Sequence, residues 1–160
     1  MSVTDVQTPP TFTPPVAEFR RFQIPDLDRH GGWLLKRLLL AFPHLDQRSL
    51  IGWLRGLISL NECLFLYQDH SVALAQVERS HTLAPKPRVI ERFVFCQDPQ
   101  YEDEAAAFYP KIATWARHQS VPTLEIKVLT DVPDAKIRKA LASVGCGKWM
   151  DVVQTLVKVE

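Results

Sequence analysis

Val94-Phe95-Cys96-Gln97-Asp98-Pro99-Gln100-Tyr101-Glu102-Asp103-Glu104-Ala105-Ala106 joins a strand-like run, Arg88 to Phe95, to a helix-like run that continues through Phe108, Ile112, Ala113, Trp115 and Ala116. A strand that passes directly into a helix is the joint from which α/β proteins are built. The first turn of such a helix offers unpaired backbone N–H groups and the positive end of a dipole, which suits an anion. A phosphate-binding chain places glycines in that loop so that the backbone can approach its ligand. Here Glu102, Asp103 and Glu104 fill the position. They complement the dipole but repel a pyrophosphate. The stretch therefore points toward a fold and away from the chemistry usually found at such a joint.

Upstream, Phe19-Arg20-Arg21-Phe22-Gln23-Ile24 reads as a short strand ended by Pro25 and Asp26. Gly31-Gly32 is expected to break the chain before an amphipathic helix, Trp33 to Phe42, stopped by Pro43. A second helix starts near Asp46 or Ser49, either able to cap it, and carries Leu50, Ile51, Trp53, Leu54, Leu57 and Ile58 at helical spacing. Cys63 to Tyr67 and Val72 to Val77 flank the polar link Gln68-Asp69-His70-Ser71 and read as a hairpin.

Downstream of the joint, Pro110 falls inside the helical run and predicts a kink or a late helix start. Leu124 to Leu129 alternates as a strand. Asp134 to Val144 reads as a helix ended by Gly145, and Met150 to Val159 as a last strand. The resulting order, β-α-α-β-β-β-α-β-α-β, is an α/β pattern with an antiparallel meander in the middle.

Composition sets the outer bounds. With 160 residues and 46% apolar content, the chain can bury one real core. A net charge of +1 without a basic run gives no field for nucleic acid. No stretch is apolar and long enough to predict a membrane span, and a cytoplasmic location follows as the expectation. Cys63, Cys96 and Cys146 show neither metal spacing nor a disulfide framework, which suits a reducing compartment. His30, His44, His70, His81 and His118 form no ligand pair, so no metal site is expected.

Residues 1–17 differ from the body at 18–160. Pro9, Pro10, Pro14 and Pro15 stand among polar residues without a periodic apolar face. Such a segment favours extended conformations and cannot pack a core of its own. It reads as an arm that binds a protein partner or a second copy, with Phe12 and Val16 as apolar anchors; a disordered leader without a role is the equal alternative.

The element order over Glu18 to Glu160 resembles the GCN5-related N-acetyltransferase (GNAT) fold. Asp98-Pro99 matches a short turn after that family's fourth strand, Ile112-Ala113-Thr114-Trp115-Ala116-Arg117 its "WA" helix end, and Ala140 to Cys146 its final helix followed by Gly-Phe. The resemblance implies an acetyl-CoA loop of the form Arg/Gln-x-x-Gly-x-Gly/Ala, but Gln100 to Ala105 contains no glycine. A phosphate charge roughly 4 to 6 Å from each carboxylate would meet a repulsion on the order of 1 to 4 kcal/mol. It also implies a tyrosine four residues before the Gly of Gly-Phe, to protonate the leaving thiolate; that position is Leu141, and the Phe is Cys146.

Glu91 lies where some members of that family place a general base, although a carboxylate that faces solvent or pairs with Arg88 or Arg92 is the plainer reading. The backbone of Phe93, Val94 and Phe95 could receive a pantetheine-like chain or a peptide by strand addition. Cys96, beside an acidic run, is expected to be a buried structural thiol. Trp33, Trp53 and Trp115 are expected in the core, and Trp149 at an interface. The reading favoured by the residues is a degenerate GNAT-like domain without a cofactor, serving as a structural or protein-binding module. Small proteins of that type occur in tailed bacteriophages, which implies incorporation into a virion. The alternative is an active acyl-CoA-dependent N-acetyltransferase with an atypical cofactor loop.

Overall fold

A computed structural model describes residues 20–79, 87–121, 124–126 and 129–146. Five strands form one sheet in the order β1-β2-β3-β4-β5: β1 Arg20–Arg21, β2 Cys63–Gln68, β3 Ser71–Glu78, β4 Arg88–Cys96 and β5 Leu124–Glu125. The first four are antiparallel neighbours, and β4 and β5 run parallel. Helices α1 (Asp26–Ala41) and α2 (Gln47–Ile58) separate β1 from β2, and α3 (Glu102–Ala106) and α4 (Phe108–His118) separate β4 from β5. Helix α5 (Asp134–Ala142) follows β5. The final strand expected at Met150 to Val159 and the arm at residues 1–17 lie outside the described residues, as does Trp149.

Each face of the sheet carries its own core. Leu34 and Leu38 of α1 and Leu50, Leu54 and Leu57 of α2 pack on Phe65, Val72, Leu74, Phe93 and Phe95. On the other face Ala105, Phe108, Tyr109, Ile112 and Leu141 pack on Ala73, Ala75, Val77, Val89, Val94 and Cys96. Strand β3 divides its side chains between the cores by strict alternation, as a pleat requires. Strand β4 does not. Leu74 pairs with Phe93 and Ala75 with Glu91, so Arg92 is an extra residue, a β-bulge. The bulge reverses the alternation: Val89 and Val94 share one core although they stand an odd number of positions apart. Arg92 turns its guanidinium to Gln76 Oε1 at 3.1 and 3.0 Å.

Several local expectations are corrected. Helix α1 begins at Asp26 and runs through Gly31 and Gly32 without a break. Two helical glycines cost about 1 kcal/mol each relative to alanine. Burial of Leu34 and Leu38 offsets this, and the Asp26 carboxylate fixes the entry by accepting the Gln23 N–H at 2.7 Å. Asp46 caps α2, accepting the Ser49 N–H at 2.9 Å, which lowers its pKa. Pro110 sits in the first turn of α4, where its missing N–H would have no intrahelical partner, so the helix starts late rather than kinking. Trp53 is 39% exposed and not a core residue, whereas Trp33 and Trp115 are half-buried against the two cores. Gly145, at φ 77°, ends the turn after α5 as expected, and the Cys146 N–H reaches back to the Leu141 carbonyl at 3.1 Å.

Among the described residues no helix is long and apolar enough to cross a membrane. None of their His, Cys, Asp and Glu side chains gather in threes to hold a metal.

Candidate active site

A short chain of polar side chains crosses the core between β4, α4 and the segment after β5. Glu91 is 0% exposed, which corrects the solvent-facing expectation. Arg88 forms ion pairs with Glu78 and Glu125, and Arg92 serves Gln76. The buried Tyr109 hydroxyl faces Glu91 Oε2 at 3.5 Å and Thr130 Oγ1 at 2.9 Å. Thr130 Oγ1 also accepts the Val132 N–H at 3.1 Å. The tyrosine hydroxyl donates to Thr130 in this arrangement, and rotation of the two hydroxyl protons turns it to the carboxylate with Thr130 as its donor. Burial, and then the negative charge of Glu91, raise the pKa of Tyr109.

Beside Asp131, the neighbour of Thr130, lies a cavity of about 230 Å³ at the carboxyl end of β4, the end where open α/β sheets bind ligands. Arg37, Cys96, Gln97, Asp98, Glu102 and Asp131 line it. Asp131 ties its walls together. One carboxylate oxygen bonds the Arg37 guanidinium and the other accepts the Cys96 N–H at 3.1 Å. Arg37 also lies over the Phe95 ring, 5.1 Å from its centroid. The Cys96 thiol is pushed up to about 11, first by burial and then by the charges of Asp131 and Glu102. That agrees with a structural cysteine and leaves almost no thiolate at neutral pH.

The acidic turn is fully employed. Lys136 Nζ reaches Glu102 at 3.2 Å and Asp103 at 2.9 Å. Glu104 turns away from the cavity and accepts the Ser71 hydroxyl at 2.6 Å and the His70 N–H at 2.9 Å. The loop amides are committed too. The Cys96 N–H goes to Asp131 and that of Gln97 to the His70 carbonyl. Pro99 has none to give. The Gln100 N–H bonds the Asp98 carboxylate, and those of Tyr101 and Glu102 bond the carbonyls of Asp98 and Pro99. With the amides of Cys96, Gln97, Gln100, Tyr101 and Glu102 taken, a pyrophosphate finds little anchorage in this loop.

The strand-addition expectation is likewise corrected at its centre. Val94 donates to the Leu129 carbonyl at 3.0 Å and accepts from the Asp131 N–H at 2.9 Å, while Phe93 and Phe95 pair with β3. The outer edge of β4 is therefore filled by residues 129–131. Leu141 is buried in the core, and Cys146 beside it receives Arg117 at 3.4 Å. Sequence reasoning missed Arg37, Tyr109, Thr130 and Asp131. The one available signal was Tyr109, which shares an apolar helix face with Ala105, Ile112, Ala113 and Ala116; a tyrosine buried there requires a partner for its hydroxyl.

Neither a family model nor a curated protein matches the chain. Solved structures do. An aminoglycoside 6'-N-acetyltransferase from Acinetobacter baumannii superposes with a TM-score of 0.51 at 16% identity, over 80% of this chain and 88% of that one. Another from Acinetobacter haemolyticus gives 0.52 at 13% identity, over 80% and 89%. The fold is that of the GNAT acetyltransferases. A protein from Agrobacterium tumefaciens, assigned as an acetyltransferase, gives 0.54 at 13% identity over 80% and 91%. At these identities the likeness establishes the GNAT fold alone. None of these matches supports a virion role.

Proposed function

We propose that this chain is an N-acyltransferase in which Glu91 receives the proton of an amine through Thr130 and Tyr109. The observation that carries the reading is the burial of Glu91 in a core where a carboxylate has no packing advantage. Burying an ionisable group costs several kcal/mol, and such groups concentrate at functional sites. An amine in the cavity at the carboxyl end of β4 would hand its proton to the Thr130 oxygen as Thr130 passes its own to Tyr109 and Tyr109 to Glu91. Three carboxylates, Asp98, Glu102 and Asp131, against one guanidinium suit a cationic amine. The acyl donor is expected from the fold to be an acyl-CoA; its pyrophosphate would need an anchor beyond the amides of Cys96, Gln97, Gln100, Tyr101 and Glu102.

Those committed amides, with Leu141 in place of a proton donor, favour a second reading. In it the domain binds without turnover and the arm, residues 1–17, seats on another chain through Pro9, Pro10, Phe12, Pro14, Pro15 and Val16. Deleting the arm would then abolish assembly and leave the melting temperature unchanged.

The deciding experiment incubates the protein with acetyl-CoA and a panel of diamines and aminoglycosides, and follows free thiol. Amine-dependent release that disappears in a folded Glu91→Gln variant is the expected result. No release, together with no thermal shift at millimolar acetyl-CoA, overturns the acyl-transfer reading in favour of the second.

A further inference from the structure

We propose that the outer groove between α1 and α2 receives residues 1–17 of a second copy of this chain. Two adjoining hollows of about 360 and 500 Å³ share Gln47 and run from Gly32 on α1 to Arg55 on α2. A surface helix ordinarily carries one apolar stripe. Helix α1 carries two: Leu34 and Leu38 go to the sheet, while Leu35, Leu39 and Leu40 line the groove, Leu40 at 68% exposure. Ile51 of α2 adds to the same apolar floor. Gly32 and Gly52 leave open space where a side chain would stand, so an incoming main chain can lie close.

Charge selects the occupant. The charged residues of the groove are Lys36, Arg48 and Arg55, and no carboxylate of the described residues lines it. No ion pair among the described residues uses any of the three. Residues 1–19 have the opposite character: Asp5 and Glu18, no lysine or arginine, and Phe12 and Val16 as apolar anchors. The acidic cavity at the end of β4 would repel the same segment. Arg20 pairs with Tyr67, so the arm enters β1 from beyond the carboxyl end of β2. Its four prolines favour a straight course and oppose the reversal that its own groove would require, which directs it to a second copy.

The arm as occupant rests on the second reading of the function, in which residues 1–17 seat on another chain; the groove does not, and acyl transfer enters neither. Sedimentation velocity on the full chain, over a range of concentrations, tests it. The wild type should self-associate. Phe12→Asp with Val16→Asp in the arm, and Leu40→Asp with Arg48→Glu in the groove, should each weaken association by at least about tenfold. Leu40 and Arg48 are exposed, so the groove pair leaves the core untouched. Mixing the two variants leaves one intact arm facing one intact groove and should give a complex that neither forms alone. If either pair leaves association intact the proposal falls; loss with the arm pair alone keeps the second reading and moves its seat elsewhere. A wild type that is monomeric throughout, or no gain on mixing, overturns the proposal as well. Groove substitutions that spare association but remove binding to phosphatidylglycerol vesicles assign the face to a lipid surface and also overturn it. None of these outcomes touches the thiol-release assay, which judges acyl transfer by itself.

Discussion

Glu104 accepts a hydrogen bond of 2.6 Å from the hydroxyl of Ser71, a residue 0% exposed at the first position of β3. One carboxylate of the acidic turn is thus a structural partner of the β2–β3 turn. Glu104→Ala strands the Ser71 hydroxyl and the His70 N–H together, which should cost about 1 to 3 kcal/mol. Urea denaturation at constant slope measures it.

Replacing Glu102-Asp103-Glu104 with a Gly-x-Gly sequence tests whether the acidic turn alone bars the cofactor. It removes the partners of Lys136, Ser71 and His70 without freeing Arg37 or the Cys96 N–H. The graft should melt several degrees lower and still give no thermal shift with CoA. A clear shift would show that the acidic turn alone closes the site.

Tyr109 links Glu91 to Thr130, so Tyr109→Phe should lower stability by about 1 to 3 kcal/mol and abolish amine-dependent thiol release. Its pH signature is one-sided. The folded pKa is raised, so the unfolded chain loses this proton first and stability should fall as pH rises past about 10. Equilibrium unfolding across that range should show less decline in Tyr109→Phe than in the wild type.

The Cys96 thiol, at about 11, should alkylate far more slowly than a free cysteine. At pH 8 roughly one molecule in a thousand carries the thiolate. Asp131→Asn removes a charge that holds the proton on, so iodoacetamide labelling of Cys96, followed by mass spectrometry, should accelerate in that variant.

Much of the architecture was legible because it is written in local patterns. Asp46 and Ser49 announce the start of α2, alternation and a polar link announce the β2–β3 hairpin, and Gly145 announces the end of α5. The glycine pair at 31–32 misled, since tertiary burial of Leu34 and Leu38 outweighs a local preference. The candidate site was largely illegible. Val89, Glu91, Phe93 and Phe95 look like one face of one strand, and nothing local reveals that Arg92 divides them. Arg37 and Asp131 meet across 94 residues of chain, a contact that depends on the parallel bridge between Val94 and Thr130.

The bulge at Arg92 also bears on how the molecule melts. Because β4 sends Val89, Val94 and Cys96 into one core and Phe93 and Phe95 into the other, neither layer of helices can detach without stripping the same strand. The two cores should therefore lose structure as one cooperative unit. Trp53, 6.5 Å from Phe93, reports on one layer, and Trp115, packed against the opposite core, reports on the other. Variants that keep a single one of these tryptophans should give coincident fluorescence midpoints in urea, and separated midpoints would mean that the halves of β4 can part company.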